Sequence, residues 1–144
     1  MVKLILGEKG AGKTKWLIDN ANKDMKAGNG NIAFIDVDDD HIFTLDYNVR
    51  LINAMEFNII NIESFYGFLC GLIGMDYDVE KIYVDSIYKV IDLSIPNLEK
   101  LVEKLKKIGE KLEVEFFINV NYTMDQIPEH LREYAIELGL ECAV

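Results

Sequence analysis

The chain has 144 residues, half of them hydrophobic and 28% charged, which suits one domain around one core and argues against compositional disorder. Asp and Glu number 25 against 15 Lys plus Arg, a net charge of −10, so the overall field repels phosphate backbones and no nucleic-acid partner is expected. No stretch of 18 consecutive apolar residues is present, so no membrane span is expected, and the apolar run at Val2–Leu6 is too short for a secretory leader.

Residues 1–144 read as a single domain: there are two prolines, no Ser/Gly-rich linker and no internal repeat. Cys70 and Cys142 have no CxxC or Cys/His spacing and read as reduced thiols of a cytoplasmic protein. His41 and His130 likewise have no spacing that suggests a metal or a catalytic pair.

Val2–Leu6 predicts a buried strand. Directly after it comes Gly7-Glu8-Lys9-Gly10-Ala11-Gly12-Lys13-Thr14, which fits G-x-x-x-x-G-K-[ST] at every fixed position. Glycines at this spacing let successive backbone N–H groups turn inward around phosphate oxygens. The loop opens into a helix over Lys13–Ala27, whose free N–H groups and positive dipole end favour an anion. Lys13 supplies a point charge for the β- and γ-phosphates, and Thr14 a hydroxyl for Mg²⁺. The bland alternative is a glycine-rich strand-to-helix turn with no ligand. The apolar strand before the loop and the amphipathic helix after it, with Leu17, Ile18, Ala21 and Met25 near one face, favour the phosphate reading. Trp16 suits either packing or the neighbourhood of a base.

Ile32–Val37 predicts a second strand, running into Asp38-Asp39-Asp40. The segments 41–45 and 49–53 flank the turn-like Asp46-Tyr47-Asn48 and predict a small hairpin. A short strand is expected at Asn58–Ile62, then a helix over Ser64–Ile73. Gly67, Gly71 and Gly74 form a small-residue stripe on that helix. Tight packing on the sheet is the favoured reading of the stripe, close approach to a partner or ligand the other.

Lys81–Asp85 predicts a strand ending in an acidic residue, the second element that the phosphate loop calls for: Asp85 would hold Mg²⁺ through water. Leu98, Leu101, Val102, Leu105, Ile108 and Leu112 mark a strong amphipathic helix with a mixed-charge outer face. Val114–Val120 reads as a strand, followed by a last helix carrying Ile127, Leu131, Tyr134, Ala135 and Leu138, and a closing strand at 140–144. Strands alternating with helices, mostly as continuous apolar runs, imply a mainly parallel sheet covered on both faces.

Three segments in this order resemble the core of RecA-like P-loop ATPases. Gly7–Thr14 is similar to the Walker A loop. Ala33-Phe34-Ile35-Asp36-Val37-Asp38 resembles the family's second strand, and Tyr83-Val84-Asp85-Ser86 its Walker B strand. The resemblance implies an α/β, three-layer P-loop NTPase fold, with the Val114–Val120 strand between Val2–Leu6 and Lys81–Asp85. It implies ATP and Mg²⁺ as ligands, and Asp38 as the carboxylate that polarises the attacking water, with Asp36 its nearest competitor. Asn119 or Asn121, which alternation puts on one face, would occupy the position that senses the γ-phosphate. The chain's two arginines, Arg50 and Arg132, are candidates for a finger across a subunit interface in a homo-oligomer. Ser86 replaces the Glu that many P-loop ATPases carry after the Walker B Asp, so binding is better supported than hydrolysis. Three functions follow: a slow ATPase or nucleotide-dependent switch acting on a protein partner, a small-molecule kinase, and a nucleotide sensor without turnover.

Overall fold

A computed structural model describes residues 1–28, 30–38, 44–76 and 78–139. Its centre is a six-stranded sheet. The strands are β1 (Val2–Leu6), β2 (Asn31–Asp36), β3 (Arg50–Asn53), β4 (Val79–Val84), β5 (Glu115–Val120) and β6 (Ala135–Glu137). Every pairing is parallel, in the order β3-β2-β4-β5-β1-β6. The β5 strand therefore separates β1 from β4, the order that the resemblance implies. Three helices cover the sheet: α1 (Lys13–Lys26), α2 (Ile62–Met75) and α3 (Ile95–Leu112).

Parallel strands must return through crossovers, so both faces of the sheet are covered and both carry apolar side chains. Alternation along the strands divides the core in two. Val2, Leu4, Leu6, Ile82, Val84, Phe116 and Ile118 pack with Phe65 and Leu69 of α2 and Leu98, Leu101, Val102 and Leu105 of α3. Ile5, Ile32, Phe34, Tyr83 and Phe117 pack with Leu17, Ile18 and Ala21 of α1. Tyr83 lies between the rings of Phe34 and Phe117, stacked on each. Its hydroxyl donates to Asp24, which also pairs with Lys81 at 3.1 Å. Burial and the Asp24 carboxylate push the Tyr83 pKa far above its usual value. Trp16 packs against Phe117, 6.2 Å between ring centroids, on this α1 face.

Four sequence expectations are corrected. The 41–53 hairpin does not form as expected: 41–43 lie outside the described residues, and Arg50–Asn53 pairs parallel with β2, not antiparallel with its own upstream segment. The Asp46 carboxylate does organise the intervening turn by accepting from Asn48 N. Asn58–Ile62 is not a strand. Asn58 turns the chain with φ 55°, and Asn61 caps α2 by accepting from Ser64 N at 2.8 Å while Ser64 Oγ accepts from Asn61 N. The last helix is replaced by two 3-10 segments, Met124–Gln126 and Glu129–Tyr134, and by β6. The closing strand expected at 140–144 lies outside the described residues. Finally, Gly67, Gly71 and Gly74 do not pack on the sheet: they are exposed, and a methyl group at any of them would meet nothing within 4 Å.

Candidate functional site

In a parallel sheet the loops that follow the strands gather at one edge, and ligands bind there. The five buried polar or charged residues among those described all lie at this edge: Lys13, Asp36, Asp85, Ser86 and Asn119. Burying such groups is costly unless they are paired or serve a ligand, so their convergence marks the site.

The turn between β1 and α1 forms its floor. Gly7 is pinned by its N–H to Tyr122 O at 2.9 Å, and it has no room for a side chain: a Cβ there would lie 2.9 Å from Ala11 Cβ and 3.2 Å from Leu138 O. Gly12, with φ 90° and ψ 22°, turns the chain into α1 from the left-handed region, which a side chain would strain. Glu8, Lys9 and Gly10 are exposed around the rim, and Ala11 N donates back to Glu8 O at 3.0 Å. The first N–H groups of α1, from Lys13 and Thr14 onward, have no acceptor within the helix.

Lys13 is buried, and its ammonium donates to Gly7 O at 2.6 Å and to Asn121 Oδ1 at 2.5 Å. Burial lowers its pKa from the usual 10.5, and the negative charge of Asp85 opposes that shift. Thr14 Oγ1 donates to Asp85 Oδ1 at 2.9 Å, which brings together the two predicted metal residues from segments 71 positions apart. The same Asp85 oxygen accepts from Asn119 Nδ2 at 2.6 Å and from Ser86 Oγ at 3.1 Å.

A hydroxyl and a carboxylate are hard oxygen donors, the kind magnesium takes alongside water. Among the described residues no cluster of three or more His, Cys, Asp or Glu could hold a metal by itself.

Two cavities meet at Lys9 and Gly10. One, of about 570 Å³, is lined by the loop, Thr14, Ser86, Tyr88 and Asn121, and by Lys9, Lys13, Lys15 and Lys89; among the described residues no acid lines it, though Asp19 pairs with Lys15 and Asp38 with Lys89. The other, of about 430 Å³, lies on the far side of the loop against Thr123, Glu137, Leu138 and Gly139. In a chain of net charge −10, the first is a local reversal of sign.

The remaining candidates fall as follows. Asp36 is buried, and its Oδ1 accepts from Val37 N at 2.8 Å and Asp38 N at 3.2 Å, so it caps the loop after β2. Asp38 is half-exposed and pairs with Lys89 at 3.5 Å, at the rim of the lysine-lined cavity. Asp39, Asp40, His41 and Cys142 lie outside the described residues. Asn119 and Asn121 both turn toward the site, the first to Asp85 and the second to Lys13. Neither arginine lines the cavity: Arg50 pairs with Asp76 at 3.6 Å, and Arg132 donates to Met124 O at 3.2 Å. His130 lies 3.3 Å from Glu99, away from the site. Lys89 and Tyr88 escape the sequence reading. The 3-10 turn Ile87–Lys89 brings them in, with the Tyr88 ring 5.8 Å from the Lys13 ammonium, and a three-residue turn leaves no periodic trace. Among the described residues no helix is long and apolar enough to cross a membrane.

No protein-family model matches the chain, and no curated protein matches it.

Proposed function

We propose that the chain is a magnesium–ATP-binding P-loop protein of RecA-like type, a slow ATPase or nucleotide-dependent switch acting on a protein partner. The carrying observation is the cavity at the mouth of the Gly7–Thr14 loop, lined by Lys9, Lys13, Lys15 and Lys89, with Thr14, one of its lining residues, bonded to Asp85. A triphosphate would add negative charge to a lining in which lysines outnumber the acids that pair with them, and the helix N-terminus adds its N–H groups. The second cavity, sharing Lys9 and Gly10, offers room for the nucleoside half of the same ligand. The order of the sheet, with β5 between β1 and β4, also favours the RecA-like branch over the kinase-like branch, in which those two strands are neighbours.

In this reading Lys13 exchanges Gly7 O and Asn121 for the β- and γ-phosphate oxygens. Thr14 would hold the magnesium ion through its hydroxyl and Asp85 would hold it through a water ligand. The ion, when bound, screens charge between the phosphates. Asp38 is the carboxylate available to orient water, and Lys89 the cation nearest to it. An arginine finger contributes about 10³–10⁵ in rate where one exists. With neither arginine at the cavity, hydrolysis by the isolated chain runs well below the typical enzyme median of roughly 10 s⁻¹. Steady-state phosphate release checks this, and turnover at the median would contradict the switch reading.

The direct test is thermal. Mg·ATP at about 100 times its dissociation constant should stabilise the protein by about 2.7 kcal/mol. Lys13→Ala should lose half or more of that gain while the free protein still folds. A melting curve unmoved by millimolar nucleotide would overturn the proposal.

A further inference from the structure

We infer that Asn119 is a positioning residue that sets the protein's affinity for magnesium by clamping Asp85 and Ser86; this rests on the nucleotide reading above. Its side-chain amide is fully buried and makes two bonds to adjacent residues of another strand's end. Nδ2 donates to Asp85 Oδ1 at 2.6 Å, and Oδ1 accepts from Ser86 N at 2.6 Å. Ile118 pairs with Val84 in the sheet, so Asn119 lies level with Asp85, one residue beyond the last pair of β4 and β5.

The clamp has work to do. Ser86 has φ 63° and ψ 31°, a left-handed conformation that a residue with a Cβ adopts at a cost. Such strain persists where neighbours over-determine it, and the Ser86 N–H bond to Asn119 is one such constraint. The turn it fixes launches Ile87–Lys89 and so also places Tyr88 and Lys89 at the cavity.

The residue type is dictated by the pair of contacts. One partner is a carboxylate oxygen and needs a donor; the other is an N–H and needs an acceptor. An amide supplies both from one rigid plane. Aspartate would set a second negative charge against Asp85, and leucine would leave Asp85 and Ser86 each short of a buried bond. The contact also separates the two asparagines of β5's end: Asn121 bonds Lys13, whereas Asn119 is two residues deeper and acts only through Asp85 and Ser86.

The quantity to measure is the ratio of ATP dissociation constants without and with magnesium, by calorimetry in EDTA and in excess Mg²⁺. In the wild type the ratio should be well above one. Asn119→Leu should reduce it about tenfold, while the metal-free constant should weaken by no more than the roughly threefold expected from losing Lys89. Asn119→Ser, a smaller polar change, should give the same direction if the leucine variant fails to fold. In both, exchange of the Ser86 amide in the ligand-free protein should speed up relative to the β4 amides. Because Asn119 acts through Asp85, Asn119→Leu should change the ratio no further in an Asp85→Ala background. Wild-type magnesium dependence retained in both Asn119 variants would overturn the inference and leave the nucleotide reading standing. Equal weakening with and without magnesium would make Asn119 merely structural, and an additive effect in the Asp85→Ala background would place its action elsewhere. Failure of the wild-type protein to bind ATP in either buffer would overturn the nucleotide reading itself, and the inference with it.

Discussion

Two turns of this molecule carry glycines with positive φ, and their surroundings are opposite. Gly7, Gly10 and Gly12 shape the β1–α1 turn, while Gly28 and Gly30 shape the turn from α1 to β2. The first leads into the N-terminus of α1, where the helix dipole is positive; the second leaves its C-terminus, where the dipole is negative. Lys9, Lys13, Lys15 and Lys89 line the cavity at the first. At Gly30 a cavity of about 450 Å³ is lined by Asp78, Glu80 and Glu113, and among the described residues no Lys or Arg lines it. Glycine gives both turns their freedom, but the direction of the helix and the sign of the lining decide which one suits an anion.

The strongest way to break that contrast is at its charges. Lys13→Ala should weaken ATP binding by about 10- to 100-fold, since a hydrogen bond to a charged group contributes about 1.5–3 kcal/mol. Glu80→Ala, at the opposite turn, should leave the dissociation constant within about twofold. Equal effects in the same titration would mean that the sign of the lining does not matter.

A backbone pair sharpens the same contrast. Gly12→Ala and Gly28→Ala should each destabilise the free protein by about 1 kcal/mol, because both positions have positive φ. Denaturant melts should show similar losses for both, yet only Gly12→Ala should also weaken ATP binding. Smaller still is the expected effect at the rim. Lys89 is half-exposed and already paired with Asp38, so Lys89→Gln should weaken ATP by about threefold and ADP by less. A competition assay comparing the two nucleotides reads that difference.

The smallest effect expected is a pH dependence. Burial holds the Lys13 pKa below 10.5. Between the lowered value and 10.5 the folded protein holds Lys13 neutral while the unfolded chain still protonates it. The unfolded state then binds more protons, so this group's stability penalty is full below that window and fades as pH rises through it. A bound phosphate favours the charged form, so ATP affinity should fall over the same window. Opposite slopes for stability and affinity, both absent in Lys13→Ala, are the expected pattern in melts and titrations carried through the alkaline range up to pH 10.5.

The sequence made the central strands and the loop legible because each is a local pattern. Lys81–Asp85 reads as a short apolar run ending in an acid, and Gly7–Thr14 as fixed types at fixed spacing. Even the shared face of Asn119 and Asn121 follows from strand alternation, though their different partners, Asp85 and Lys13, depend on how deep each sits in the sheet. The misreadings arose where two local patterns competed or where pairing decides. Ile59, Ile60 and Ile62 look like a strand, but the Asn61–Ser64 capping box starts a helix inside that run. Tyr134, Ala135 and Leu138 fit a helical period, yet β1 offers an open edge and Ala135–Glu137 joins it as β6. Arg50–Asn53 gives no hint in its own residues that it adds to β2 in parallel.

The outward glycines of α2 have a consequence for where this chain opens first. Gly67, Gly71 and Gly74 gain nothing from packing, and a glycine in an exposed helix costs about 0.8–1 kcal/mol relative to alanine. Three of them on one face leave α2 held by Phe65, Leu69 and Ile73 on its other side and by the cap at its start. The helix shares one core cluster with Ala33, Ile35, Ile82 and Val84 of β2 and β4, the strands that deliver Asp36 and Asp85 to the site. Transient loosening of α2 would uncover the apolar back of those strands while the loop at Gly7–Thr14, backed by α1 on the opposite face, kept its shape.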